Sequence, residues 1–225
     1  MEEPKLLLEL DLSLASKEVI EILIEDTSEP SLFTEIAKAN TQRPDILKIL
    51  IENPATPDEV RQEVSKVLSI PVKQSTEIAR ARKTPEMHKE SVLQRIQRLS
   101  VTEKRHLARM GGREIRSVLI KDPNKEILMT LLDNPKITET EIETIAKSRF
   151  IPEEALRKIA KKREWMKKYP IVSAVVTNPK TPAGIAVTFL NELKTRDLAL
   201  LEKNRNVSEA VRSTAKKFLQ SKRAH

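Results

Sequence analysis

The sequence predicts an all-α protein, an irregular α-solenoid of stacked short helix pairs. Three observations carry this reading: an apolar run ending in Asn-Pro that recurs three times, a four-residue phrase that recurs four times, and narrow apolar stripes at spacings of three, four and seven. Such spacings mark one face of a helix. Alternation between helices apolar nearly all round and helices apolar on one side is how stacked pairs share a core.

Composition narrows the chemistry. The chain has 225 residues, with 41 Lys or Arg against 33 Asp or Glu, three Gly, thirteen Pro and no Cys. This length suits one domain or two small ones, at about 100 to 200 residues per domain. Without Cys there is no disulfide framework, thiolate nucleophile or Cys-ligated zinc. Gly111, Gly112 and Gly184 cannot write a phosphate-cradling loop. The start, Met1-Glu2-Glu3-Pro4-Lys5-Leu6-Leu7-Leu8, is acidic, and its apolar run is too short for a signal segment or a membrane span. A cytoplasmic protein with no membrane span is expected. Charge is uneven: residues 1–60 hold five basic and fourteen acidic side chains, a net of −9, whereas 61–225 carry a net of +17. The expected organisation is acidic helical repeats over 1–70 and basic helical repeats over 71–225, joined as one continuous solenoid.

In chain order, the phrase Ile36-Ala37-Lys38-Ala39 comes first and returns as Ile78-Ala79-Arg80-Ala81, Leu107-Ala108-Arg109-Met110 and Ile145-Ala146-Lys147-Ser148. Small Ala admits a neighbouring helix, and Lys or Arg suits the negative end of a helix. After three of the copies a helix opens at a proline and an acid: Pro44-Asp45, Pro85-Glu86 and Pro152-Glu153. The first Asn-Pro run is Asp45 to Pro54; it matches Glu126 to Pro135 without a gap, and that run in turn matches Pro170 to Pro179. Proline bars the preceding Asn from continuing a helix, and Asn tolerates a left-handed helix end. Thr56, Thr138 and Thr181 then read as caps of the next helix, with Glu59 or Glu141 completing a capping box and Pro57 or Pro182 at the first helical position.

The second helices carry one-sided stripes: Val60, Val64, Val67 and Leu68; Ile142, Ile145 and Ala146; Ala186, Phe189, Leu190 and Leu193. Ile171 to Val176 is β-branched enough to be read as a strand, but the same slot elsewhere holds Leu, Met and Lys, which favours helix. Ser69-Ile70-Pro71-Val72 interrupts the pattern, and Gly111-Gly112 ends one helix before Arg113-Glu114 starts another.

The pattern at Asn53, Pro54, Thr56 and Pro57, repeated at Asn178, Pro179, Thr181 and Pro182, resembles the leucine-rich variant repeat, an all-helical relative of HEAT and armadillo repeats. The copy at Asn134 departs from it, with Ile137 and Thr138 in place of Thr and Pro. From about Ser100 onward the chain is similar to bacterial repeat proteins of unassigned function, through Lys121-Asp122-Pro123-Asn124-Lys125, Arg163-Glu164-Trp165 and Arg196-Asp197-Leu198. That similarity brings no activity. The iron-sulfur cluster of one leucine-rich variant protein needs Cys ligands that this chain lacks. Helical-repeat DNA glycosylases share the general architecture, but none of their active-site motifs matches.

No catalytic, cofactor or metal constellation is read. His88, His106 and His225 fall in no ligand spacing. The pairs Glu153-Glu154 and Glu139 with Glu141 sit in first turns, where the helix dipole accounts for them. The first candidate binding surface is Arg157, Lys158, Lys161, Lys162, Arg163, Lys167 and Lys168 around Trp165 and Tyr169. Cations around aromatic rings suit phosphate contact with stacking; the favoured reading is that the rings plug a joint between repeats with solvated cations around them. A second candidate surface is Arg80, Arg82, Arg95, Arg98, Arg105, Arg109, Arg113 and Arg116. The expected function is non-enzymatic binding of a protein partner. Nucleic acid is the alternative, self-association by head-to-tail pairing of acidic and basic segments a further one, and a glycosylase-like enzyme the remote one.

Overall fold

Proline and asparagine punctuate the chain into short helices. The computed structural model describes residues 11–27, 29–69 and 91–223, and among these it holds fifteen α-helices, one 3₁₀ turn and no strand. Two compact units, Met1–Val118 and Leu119–His225, divide the chain. The change in charge sign near residue 70, the phrase Ile78 to Ala81 and the Pro85-Glu86 junction lie outside the described residues.

The first unit contains α1 (Lys17–Asp26), α2 (Pro30–Ala39), α3 (Pro44–Glu52), α4 (Asp58–Leu68), α5 (Val92–Arg98) and α6 (Val101–Met110), with α7 (Arg113–Leu119) reaching its end. Val19, Ile20, Ile22, Leu23 and Ile24 of α1 are all buried, so this helix is apolar around most of its girth. It packs on α2, α3 and α6, while α4 packs on α2 and α3. Ser91 with Gln94, and Ser100 with Glu103, form reciprocal capping boxes at the starts of α5 and α6.

The second unit contains α8 (Lys125–Leu131), α9 (Glu139–Lys147), α10 (Glu153–Lys161), α11 (Arg163–Met166), α12 (Tyr169–Thr177), α13 (Ala183–Thr188), the 3₁₀ turn Leu190–Glu192, α14 (Thr195–Lys203) and α15 (Glu209–Arg223). The β-branched run is helical, as expected: Ile171, Val172, Ala174, Val175 and Val176 of α12 are all buried. Burial of a Val or Ile side chain contributes roughly 1.5–3 kcal/mol. Poor helix propensity costs no more than about 0.7 kcal/mol per residue, so packing decides the outcome. α12 packs on α9, α11 and α13, and α15 packs along α14.

Three features differ from expectation. Asn53 and Asn178 are extended (φ −80° and −74°), not left-handed. A following proline disfavours helical geometry, and each Asn Oδ1 instead accepts the backbone N–H two residues on, from Ala55 and Lys180. The left-handed conformation occurs at Ser69, which ends α4. Thr138 and Glu141 do form a capping box, but Thr56 and Thr181 do not cap. Both are buried; Thr181 donates back to the Val175 carbonyl at 2.5 Å, and Pro57 and Pro182 occupy the N-cap positions instead of the first turn. Finally, the buried face of α4 is Val60, Arg61, Val64 and Ser65, with Val67 exposed, and the expected helix through Leu193 breaks into α13 and the 3₁₀ turn.

Candidate functional site

The stretch from Arg157 to Tyr169 spans the end of α10, all of α11 and the start of α12. Three of its cations are held by acids: Arg157 by Glu153 at 2.6 Å, Lys158 by Asp133 at 2.6 Å and Lys168 by Glu139 at 2.7 Å. Lys158 also donates to the Met129 carbonyl at 2.9 Å, and Lys162 to the Leu132 carbonyl at 3.2 Å. Lys158 of α10 and Lys162, just past its end, thus clamp the carbonyl end of α8, where the helix dipole favours positive charge. Lys125 at the start of α8 meets Glu154 at the start of α10 at 2.6 Å, so the two helices run parallel. That lysine holds the exposed Glu154 carboxyl below its usual range.

Trp165 is half-buried, with the Lys162 ammonium 4.0 Å above its ring. Tyr169 is tied into the structure: its hydroxyl donates to Asp197 and accepts the Lys194 N–H at 3.1 Å, with the Lys194 ammonium 4.7 Å over the ring. Burial, reinforced by Asp197, raises the Tyr169 pKa. Lys161, Arg163 and Lys167 remain exposed and pair with no acid among the described residues.

The second stretch is dispersed. Arg80 and Arg82 lie outside the described residues. Arg95 reaches Glu25 at 2.7 Å and Glu21 at 3.5 Å, bracing α5 on α1 with its side chain only 16% exposed. Arg116 is buried and donates to the Gly111 carbonyl at 3.2 Å. Arg98 and Arg113 are exposed, Arg105 is half-buried, and half-buried Arg109 lines a groove with Glu35 and Lys38. Arg116 turns inward, so the eight arginines do not form one continuous exposed stripe.

Of the three histidines, His88 and His225 lie outside the described residues; His106 is buried on α6, and burial lowers its pKa. Among the described residues no three His, Asp or Glu side chains gather as a metal site. No helix there is long and apolar enough to cross a membrane.

Two polar groups, buried Arg61 and half-buried Asp26, escaped the sequence reading. Arg61, fully buried, donates to the Asn53 and Thr56 carbonyls at 3.0 and 2.9 Å and to Asp58 at 2.7 Å, so one guanidinium holds the whole Asn-Pro-Ala-Thr-Pro turn. Its signal was a charge inside the apolar stripe of α4. Asp26, at the end of α1, lies against Gly112, Glu114 and Ile115 at the start of α7. Burial raises its pKa against the opposing pull of those backbone amides, and its Oδ2 has no hydrogen-bond partner.

No family model matches the chain, and neither a curated protein nor a solved structure matches it.

Proposed function

We propose that the chain is a non-enzymatic helical-repeat protein that binds protein partners, with its helix pairs stacked as an irregular solenoid. One observation carries the reading: side chains of one helical unit recurrently tie off the carbonyl ends of an earlier one. Asn178 does so for α9, and Lys158 and Lys162 do so for α8. Stacking of this kind leaves rows of turns and helix ends on the surface, and such rows are what repeat proteins present to macromolecules. The resemblance of the Asn-Pro turns to leucine-rich variant repeats supports the same function. The test is affinity capture with the full chain as bait, followed by reconstitution from purified components. A stoichiometric protein partner supports the reading; a protein that captures none counts against it.

A second reading, nucleic-acid binding, is favoured by a specific cluster. Lys161, Arg163 and Lys167, all exposed and without an acid partner among the described residues, flank half-buried Trp165 in the chain, and Lys162 lies over its ring. Fluorescence anisotropy with labelled single- and double-stranded DNA and RNA at two salt concentrations tests it. Replacing those three cations with Ala should weaken binding and flatten its salt dependence. An unchanged slope removes them from the interface.

A further inference from the structure

Phe150 is 92% exposed, more than any other large apolar side chain among the described residues. It sits in the Ser148 to Ile151 turn between α9 and α10, and this turn is held in place. Asn178 donates to the Ser148 carbonyl at 2.9 Å, Ser148 Oγ accepts the Phe150 N–H at 3.3 Å, and Ile151 is buried beneath. The exposure of Phe150 is therefore a presented conformation. Leu14 stands in a similar position in the first unit: 79% exposed, in a turn whose Leu12 carbonyl accepts from buried Asn40.

A groove lies on either side of the turn. One, of about 650 Å³, is largely apolar, lined by Phe150 and Ile151 with Ile120, Leu128, Ile145 and Pro152. The other, of about 130 Å³, is polar, lined by Lys147, Arg149, Thr177, Asn178, Asn204 and Asn206. No carboxylate lines the polar groove, and exposed Lys180 and Arg205 adjoin it in the chain. Lys147 shares its charge with Glu143 at 2.5 Å, whereas Arg149 meets no acid among the described residues.

We propose that this turn docks a short protein segment that lays a large apolar side chain beside Phe150 and sets an acidic side chain against Arg149. The proposal rests on the protein-binding reading above and names the surface through which it acts. Charge complementarity selects the occupant. A second copy that placed this turn on a two-fold axis would bring Arg149 and Lys147 up to their own duplicates, a like-charge contact that disfavours that symmetric pairing. A nucleic-acid strand offers phosphate to the polar groove and a base to stack on Phe150, but no aliphatic side chain to fill the groove between Ile120, Leu128 and Ile145. An acidic, apolar peptide satisfies both, and the preformed turn spares it the cost of ordering its receptor.

The experiment pans a displayed random-peptide library on the full chain, with the R149E/F150S double variant for counter-selection. Both residues are exposed, so the variants should unfold at the wild-type temperature. Enriched sequences should combine Asp or Glu with a nearby large apolar residue. A synthetic peptide of the enriched sequence should lose at least about tenfold in affinity to F150S and to R149E separately, with R149K close to wild type. No enrichment over the double variant, enriched sequences without an acid, or a wild-type dimer dispersed by F150S would overturn the proposal. If a captured partner binds wild type and double variant equally, the docking site fails while the protein-binding reading stands; if neither route yields a partner, both fail.

Discussion

The side-chain amide of Asn178 donates to the carbonyl of Ala146 at 2.7 Å, across thirty-two residues of chain. Its second N–H serves Ser148, and its Oδ1 accepts the Lys180 N–H at 2.9 Å. One buried residue therefore shapes its own turn and ties off the end of α9. Asn40 behaves alike, donating to the Leu12 and Ile36 carbonyls while Arg43 takes those of Ser13 and Ala15. The asparagine that ends a helix is also a staple to an earlier turn of the same unit.

Asn178→Asp should therefore cost more than its isosteric shape suggests. The oxygen that shapes the turn is kept, but the donor becomes a second oxygen facing two carbonyls. A loss of at least about 2 kcal/mol is expected at neutral pH, shrinking in acid as the new carboxyl protonates. Urea denaturation at the two pH values reads it, with Asn178→Ala as the reference.

Arg61 and Asp58 should behave unequally despite their 2.7 Å ion pair. Asp58 is 69% exposed, so Asp58→Asn should cost under about 1 kcal/mol. Arg61→Ala takes the donor from the buried Thr56 carbonyl and one of two from the Asn53 carbonyl, which keeps the Thr56 N–H at 3.1 Å, and a loss of about 2–3 kcal/mol is expected. Arg61→Lys should recover only part of it, since one ammonium cannot reproduce the planar fork. Equal losses for Asp58→Asn and Arg61→Ala would show that the ion pair, not the turn, is what Arg61 supports.

Periodicity made the helices legible because it records which faces are buried. It did so for Ile142, Ile145 and Ala146, and for the α12 run, whose β-branched residues alone would suggest a strand. Polar interior groups are not periodic, and there the reading failed. Thr56 fits a cap on local grounds, yet it is buried and Arg61 governs its turn. Asn204, whose Oδ1 accepts the Asn206 N–H at 3.0 Å, repeats the asparagine turn without a proline to mark it. The basic stretches were visible as charge, but the split between clamps such as Lys158 and Lys162 and exposed Lys161 and Lys167 depends on partners about thirty residues away in sequence.

Two glycines should respond oppositely to alanine. A Cβ on Gly112 would stand 2.6 Å from Asp26 Oδ2 and 3.0 Å from the Asp26 carbonyl oxygen. Gly112→Ala must displace the Asp26 carboxylate and crowd the Asp26 carbonyl, at a cost of about 1–3 kcal/mol. Nothing lies within 4 Å of a Cβ on Gly184, in the first turn of α13. Gly184→Ala should gain up to about 1 kcal/mol from reduced unfolded-state freedom. Thermal unfolding of the two variants separates close approach from mere helix punctuation.

Asp26 should make stability fall as pH rises. Its folded pKa is raised by burial above the ordinary 3.8, so its contribution is full below that value and is lost as pH climbs through the raised one. Asp26→Asn keeps an acceptor for the amides of α7 and never ionises. The variant should match wild type in acid and exceed it at pH 7; wild type proving the more stable at pH 7 would contradict the raised pKa.

Tyr169→Phe separates a joint from a binding platform. The hydroxyl bridges the start of α12 to the start of α14 through Asp197 and the Lys194 N–H, so its removal leaves a half-buried carboxylate and an amide without that partner. A loss of about 1 kcal/mol is expected near pH 7. The Tyr169 pKa is raised from 10.0, first by burial and then by Asp197, so the hydroxyl's contribution is full below the ordinary value and fades as pH rises through the raised one. The stability gap between wild type and Tyr169→Phe should therefore hold from pH 7 to 9 and narrow in stronger alkali. A ring whose task is to hold the joint leaves any nucleic-acid affinity and its salt slope unchanged when the hydroxyl is lost. Unchanged stability together with weakened binding would instead place Tyr169 on a recognition surface beside Trp165.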